Sequence, residues 1–161
     1  MTYERFEDLP VWKAAIELAE RVYALTEKTP FRRKYSLRDQ LERATLSISN
    51  NIAEGFERGT TQELLTFLYI ARGSAGEVRS MLCFLEKVEA FKDLRSEISN
   101  LKLSVEGISR QLRAWADSLQ NSEVKGQRYL NDKDRKRTQN KKERDEFLAM
   151  LAQIQKNRGS A

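Results

Sequence analysis

Apolar residues recur with helical spacing along the first three quarters of the chain. Between Leu9 and Lys28, the residues Val11, Ala15, Leu18, Val22 and Leu25 follow at steps of four and three, which puts them on one helix face. Pro10 suits the first turn, where its missing N–H is no loss, and Thr29-Pro30 ends the pattern. A second helix is predicted from Ser36, with Asp39 three positions on as a variant capping box; Leu37, Leu41, Ala44, Ile48, Ile52 and Gly55 share its inner face. A third is predicted from Thr60 or Thr61, with Glu63 in its first turn, where the helix dipole favours an acid. Its apolar face is Leu64, Phe67, Leu68, Ala71, Ser74, Ala75, Val78, Leu82 and Leu85. A fourth is predicted from about Asp93. There Ile98, Leu101, Val105, Ile108, Leu112, Trp115 and Leu119 form the most regular heptad in the chain, a face that also suits a partner helix. Gly107 interrupts it at a cost of about 1 kcal/mol relative to alanine.

The connections between these patterns are short, so successive helices are expected to pack antiparallel. The predicted fold is all-α, an antiparallel up-down-up-down four-helix bundle over residues 1–120. After Gln120 the pattern breaks. Residues 121–161 read as a charged, solvated extension too poor in apolar residues to bury much surface. Periodicity returns through Phe147, Leu148, Leu151 and Ile154, which predicts a short amphipathic helix near 145–156 that seeks a groove or a partner.

Composition narrows the chemistry. The 161 residues include 7 Gly and 2 Pro, few enough to favour long helices. There is no histidine and a single cysteine, Cys83, so neither an intramolecular disulfide nor a Cys–His zinc site can form, and no cofactor is expected. Histidine is also the commonest general acid–base group. Cys83 sits between Leu82 and Phe84 and reads as a small buried hydrophobe; Trp12 and Trp115, at helical spacing, read as core or interface aromatics. No apolar run is long enough to cross a bilayer, and "MTYERFEDLPVWK" has no apolar signal core, so a cytoplasmic location is expected. The formal charge of +5 is carried entirely by residues 121–161, which hold 11 Lys and Arg against 6 Asp and Glu; residues 1–120 hold 18 of each sign.

One stretch, "SISNNIAEGFERGTT" at Ser47–Thr61, crowds amides, carboxylates, glycines and an arginine in the manner of an active site. A helical wheel at about 100° per residue separates them. Asn51, Ile52 and Gly55 fall near Ile48 on the inner face, while Asn50, Glu54 and Glu57 fall outside with Arg43. Asn51 reads as an amide that caps or bridges to a neighbouring helix. Gly55 permits close helix approach or marks the helix end, and the small residues Ala71, Ser74 and Ala75 are expected to face it. Glu54 and Arg58 stand at i,i+4 in the favourable order. "GFERG" lacks the pattern of a phosphate loop. The expectation is that the protein is not an enzyme.

Three segments carry a family resemblance: "FEDLPVWKAAIELAERVY" at Phe6–Tyr23, "YSLRDQLERATLSISNNIAEGFER" at Tyr35–Arg58 and "FLYIARGSAGEV" at Phe67–Val78. They resemble the four-helix-bundle proteins encoded in intervening sequences of bacterial 23S ribosomal RNA, over roughly residues 4–120. The accessory variability determinant proteins of diversity-generating retroelements are similar in fold, with a weaker sequence likeness. The resemblance implies a homopentameric bundle and no catalytic residues. For the retroelement relatives it implies binding of nucleic acid and of a reverse transcriptase through a basic surface. Asn51, Ile52, Ala53, Glu54, Gly55, Arg58, Gly73 and Ser74 match the family signature and read as structural or assembly residues.

Two basic groups stand out as candidate nucleic-acid contacts. One is Arg32, Arg33, Lys34 and Arg38, at the junction of the first two helices; the other is Lys133, Arg135, Lys136, Arg137, Lys141, Lys142 and Arg144, in the extension. Acids are interspersed in the second group, at Asp132, Asp134 and Glu143. The functional expectation is an oligomeric accessory protein that binds nucleic acid, RNA above all. The alternative is a scaffold for protein partners, acting through the fourth helix and the C-terminal amphipathic segment.

Overall fold

The computed structural model describes residues 3–121 and, in the C-terminal part, residues 143, 144, 146–148 and 150. The chain divides into two units, residues 1–126 and 127–161. The described residues of the first unit are helical without strands. They form four long helices: α1 (Pro10–Thr26), α2 (Tyr35–Glu57), α3 (Thr61–Lys87) and α4 (Arg95–Gln120). Short 3-10 turns at Phe6–Asp8, Thr29–Phe31 and Glu89–Leu94 precede α1, α2 and α4.

Most of the predicted apolar stripe positions are buried, while Leu37, Phe67 and Ser74 are half-buried. Ala15, Leu18, Val22 and Leu25 of α1 meet Leu41, Ile48 and Ile52 of α2 in one cluster with Leu64, Ala71, Val78 and Leu85 of α3 and Ile98, Leu101 and Val105 of α4. Each fully buried leucine or isoleucine here contributes about 1.5–3 kcal/mol relative to exposure. At the far end of α4 the stripe shifts by one residue. Ala116 is buried, while Trp115 and Leu119 only lean on the core. Trp12 likewise packs at the core edge, edge-on to Phe6 at 5.3 Å.

Pairs between helices run in opposite numerical order. Gln40 bonds Glu77, Ser47 meets Ser74, and Gly55 lies against Leu64 and Phe67 along the α2–α3 seam. Arg21 bonds Ser104, and Lys28 pairs with Glu97, between α1 and α4. Lys102 bonds Glu86 at 2.5 Å and Gln120 donates to the Tyr69 hydroxyl at 2.7 Å between α4 and α3. The buried hydroxyls are satisfied locally: Thr45 donates to the Leu41 carbonyl at 2.7 Å and Ser49 to that of Leu46 at 3.1 Å.

Two helix starts differ from expectation. The second helix begins one residue early, at Tyr35, with Lys34 at its N-cap and no side-chain cap. Ser36 is already inside the first turn, so the expected capping box does not form; Asp39 instead pairs with Arg43 at 3.5 Å. The fourth helix begins at Arg95, because Glu89–Leu94 winds as a 3-10 turn that drives Phe91 into the core. In the second unit, Glu143, Arg144, Glu146, Phe147, Leu148 and Met150 are helical and exposed. The remainder of the expected amphipathic helix, including Leu151 and Ile154, lies outside the described residues.

A candidate nucleic-acid interface at the α1–α2 corner

The corner between α1 and α2 is built on Phe31. Lys28 is extended, Pro30 sets the first turn of Thr29–Phe31, and the turn aims Phe31 inward. Its ring is fully buried and meets Phe91 edge-on, with centroids 4.8 Å apart. The backbone then closes on itself: the N–H groups of Phe31, Arg32 and Lys34 donate to the carbonyls of Lys28, Thr29 and Phe31 at 3.0, 3.2 and 2.9 Å. The three residues that follow the anchor, Arg32, Arg33 and Lys34, therefore protrude from a fixed turn and are exposed.

Charge pairing divides the four predicted cations of this corner. Between residues 27 and 43 there are six cations and three carboxylates, a net of +3. Arg38 is engaged twice, donating to Glu42 at 2.8 Å and to Glu27 at 2.6 Å. The hydrogen bond that Glu42 accepts, and then the charges of Glu42 and Glu27, hold the Arg38 guanidinium above its usual range. Glu42 also accepts from the buried Thr26 hydroxyl at 2.5 Å, so this chain of polar groups stitches the end of α1 to the start of α2. With Asp39 held by Arg43 and Lys28 by Glu97, the local carboxylates are all taken. Arg32, Arg33 and Lys34 have no ion-pair partner among the described residues. The structure thus leaves Arg32, Arg33 and Lys34 available to an external anion and commits Arg38 to the fold.

Of the second predicted group, Lys133, Arg135, Lys136, Arg137, Lys141 and Lys142 lie outside the described residues. Arg144 is helical and exposed.

The crowded stretch at the end of α2 resolves into packing. Asn51 donates to the Ser47 carbonyl at 2.7 Å and to the Ser47 hydroxyl at 3.0 Å; that hydroxyl lies 2.9 Å from the Ser74 hydroxyl of α3. The bridge to the neighbouring helix exists, but Ser47 makes it. A Cβ on Gly55 would come within 2.6 Å of the Phe67 Cβ, so Gly55 is the close-approach point between α2 and α3. Its neighbours are Leu64 and Phe67 rather than Ala71, Ser74 and Ala75. Glu54 and Glu57 point to solvent with Asn50. Arg58 donates to Glu54 at 2.6 Å, approaches Glu63 at 4.0 Å and covers the Phe67 ring at 5.1 Å. Beside it, Thr60 accepts from the Glu63 N–H at 3.2 Å and donates to its carboxylate at 2.7 Å, capping α3. Gly73 is exposed, with open space where a Cβ would be.

Among the described residues, no three Cys, Asp or Glu side chains converge as metal ligands, and no helix is long and apolar enough to cross a membrane. Cys83 is half-buried rather than buried, beside the Lys102 ammonium; that ammonium is held above its usual range first by the Glu86 hydrogen bond, with the Cys83 sulfur contributing.

Sequence reasoning missed the Phe31 anchor. The signal for Phe31 was present, since it is the one aromatic between Thr29-Pro30 and the run of cations. The Arg38–Glu42 pair was legible as an i,i+4 spacing. No curated protein matches the chain. A family model described as 23S rRNA-intervening sequence protein matches residues 7–114, which span α1, α2, α3 and most of α4, including both corners described above. This chain belongs to the 23S rRNA-intervening sequence protein family.

Proposed function

We propose that the protein is a non-enzymatic, cytoplasmic accessory protein that binds RNA as a homo-oligomer, built on an antiparallel up-down-up-down four-helix bundle. The observation that carries the reading is the run Arg32, Arg33 and Lys34, three exposed cations on a fixed turn whose neighbouring carboxylates are already paired. An unpaired cation cluster attracts polyanions, and phosphate contacts of this kind release counterions and weaken with salt. The family name, which refers to ribosomal RNA, points the same way. The basic extension adds cations at Lys133, Arg135, Lys136, Arg137, Lys141, Lys142 and Arg144. Pentameric assembly and a retroelement reverse transcriptase as partner rest on the resemblance alone. Deleting residues 121–161 and measuring mass and RNA affinity together tests the division of labour. A truncated protein that keeps its assembly and part of its salt-dependent RNA affinity supports the corner as a contact. One that binds no RNA assigns binding to the extension alone.

A second reading, a scaffold for protein partners, is favoured by exposed apolar side chains. Phe147, Leu148 and Met150 are 60%, 52% and 62% exposed, and Phe84 and Leu103 stand out from α3 and α4. Replacing Phe147, Leu148 and Met150 with serine leaves RNA affinity unchanged and abolishes partner capture if this reading holds.

A further inference from the structure

We propose that the α1–α2 corner takes single-stranded nucleic acid, with the Tyr35 ring stacked on an unpaired base while Arg32, Arg33 and Lys34 hold the adjoining phosphates. The proposal rests on the nucleic-acid reading above and names the form of the ligand.

Tyr35 is the most exposed large hydrophobic side chain among the described residues, at 75%. It has no hydrogen-bond partner among them, in contrast to Tyr69, whose hydroxyl accepts from Gln120 at 2.7 Å. Tyr35 does not cap α2 and does not belong to the core cluster. An aromatic ring left in water at this position has no account in the fold. It does have one in recognition, because it directly follows three unpaired cations. The turn beneath it is fixed by Phe31, and the Arg38 N–H closes the first turn of α2 on the Lys34 carbonyl at 3.0 Å. Ring and cations are thus presented together from a rigid base, with their geometry set before any ligand arrives.

The combination discriminates between nucleic-acid forms. Cations alone bind single and double strands alike, since both present phosphates. A protruding ring adds affinity where a base face is free, as it is in a single strand, a loop or a bulge. In a duplex the base faces are covered by their neighbours, and the major groove of A-form RNA is too deep and narrow for side chains to read. An anionic membrane would satisfy the cations but gives the ring no stacking partner.

The test uses the full chain and two labelled probes, an oligo(U) strand and a blunt RNA duplex of equal length, at one low salt concentration. Tyr35→Ala is expected to weaken oligo(U) binding about tenfold, the size of one base–aromatic stack, and to leave duplex binding unchanged. Tyr35→Phe is expected to retain wild-type affinity for both probes. The added indole emission of Tyr35→Trp is expected to be quenched by oligo(U) and not by the duplex, a signal that a structural role for the ring would not produce. The exposure of Tyr35 makes misfolding of these variants unexpected, and thermal unfolding checks it. Unchanged oligo(U) affinity in Tyr35→Ala overturns the proposal, as does an equal loss on both probes. Binding to phosphatidylserine vesicles with none to either RNA overturns it as well. The triple variant R32Q/R33Q/K34Q separates the two levels. If it loses both probes while Tyr35→Ala loses neither, the stacking proposal fails and the nucleic-acid reading stands. If it keeps wild-type affinity for both, the corner is not the nucleic-acid site at all.

Discussion

The two ends of α2 carry similar residues and use them in opposite ways. At its C-terminal end, Arg58 lies between Glu54 and Glu63 and over the Phe67 ring, and Thr60 and Glu63 close the start of α3. Arg58, Glu54 and Glu63 find partners within the chain, and Glu57 alone is left to solvent. At its N-terminal end, Arg38 and Arg43 absorb the nearby carboxylates, and Arg32, Arg33 and Lys34 are left over beside a bare aromatic ring. The C-terminal corner is crowded with polar residues in the sequence and is spent on folding. The N-terminal corner has the sequence of an ordinary basic turn and is the one with unused interaction capacity. What separates them is the ratio of cations to carboxylates within reach, not the number of charged residues.

The sharpest way to break this comparison is to exchange the roles. R32Q/R33Q/K34Q in the full chain is expected to lower RNA affinity by at least roughly tenfold at low salt with unchanged thermal stability. Arg58→Gln is expected to do the reverse, lowering the melting temperature and leaving RNA affinity intact. Equal effects on RNA from both would mean that the two corners are not distinguished by pairing.

Next in size is Gly55→Ala. The new methyl group meets the Phe67 Cβ at 2.6 Å, and neither atom is the far end of a flexible chain, so overpacking is expected to cost about 1–3 kcal/mol. Chemical denaturation measures it, and a neutral result would mean that α2 and α3 separate more readily than their close contact implies. Thr60→Ala removes the side-chain cap of α3 and is expected to cost about 1 kcal/mol. The smallest effect has the opposite sign. Gly73 is exposed with open space at its Cβ, so Gly73→Ala is expected to stabilise the chain by about 0.5–1 kcal/mol through helix propensity. A destabilised Gly73→Ala would instead show that a second copy packs against that face, as an assembly role requires.

Much of the fold was legible because helical periodicity is a strong signal. Val11 to Leu25 and Ile98 to Leu112 are read from spacing and are buried as read, as are the positions from Leu64 to Leu85 other than the half-buried Phe67 and Ser74. The separation of Asn51 and Gly55 from Asn50, Glu54 and Glu57 followed from the same geometry. Three failures share a cause, a partner in another segment of the chain. Phe31 is buried by Phe91, and the late start of α4 comes from the turn that carries Phe91 inward. Arg38 is withdrawn from the basic cluster partly by Glu27 of the preceding segment. Ser36 resembles a helix cap because Ser followed by Asp commonly is one. The helix begins one residue earlier, with the non-helical Lys34 at its N-cap and the Arg38 N–H bonded to the Lys34 carbonyl. Tyr35 escapes the pattern because it precedes the predicted helix start at Ser36 and so was assigned to no helix face.

The salt dependence of RNA binding tests the central claim most directly. The affinity of the full chain and of R32Q/R33Q/K34Q for the same single-stranded probe is measured across a range of monovalent salt. Removing three phosphate contacts is expected to reduce the slope of log affinity against log salt by about 2, at roughly 0.7 per contact for a single strand. Identical slopes for the two proteins would contradict the account, because the unpaired cations of the α1–α2 corner would then touch no phosphate.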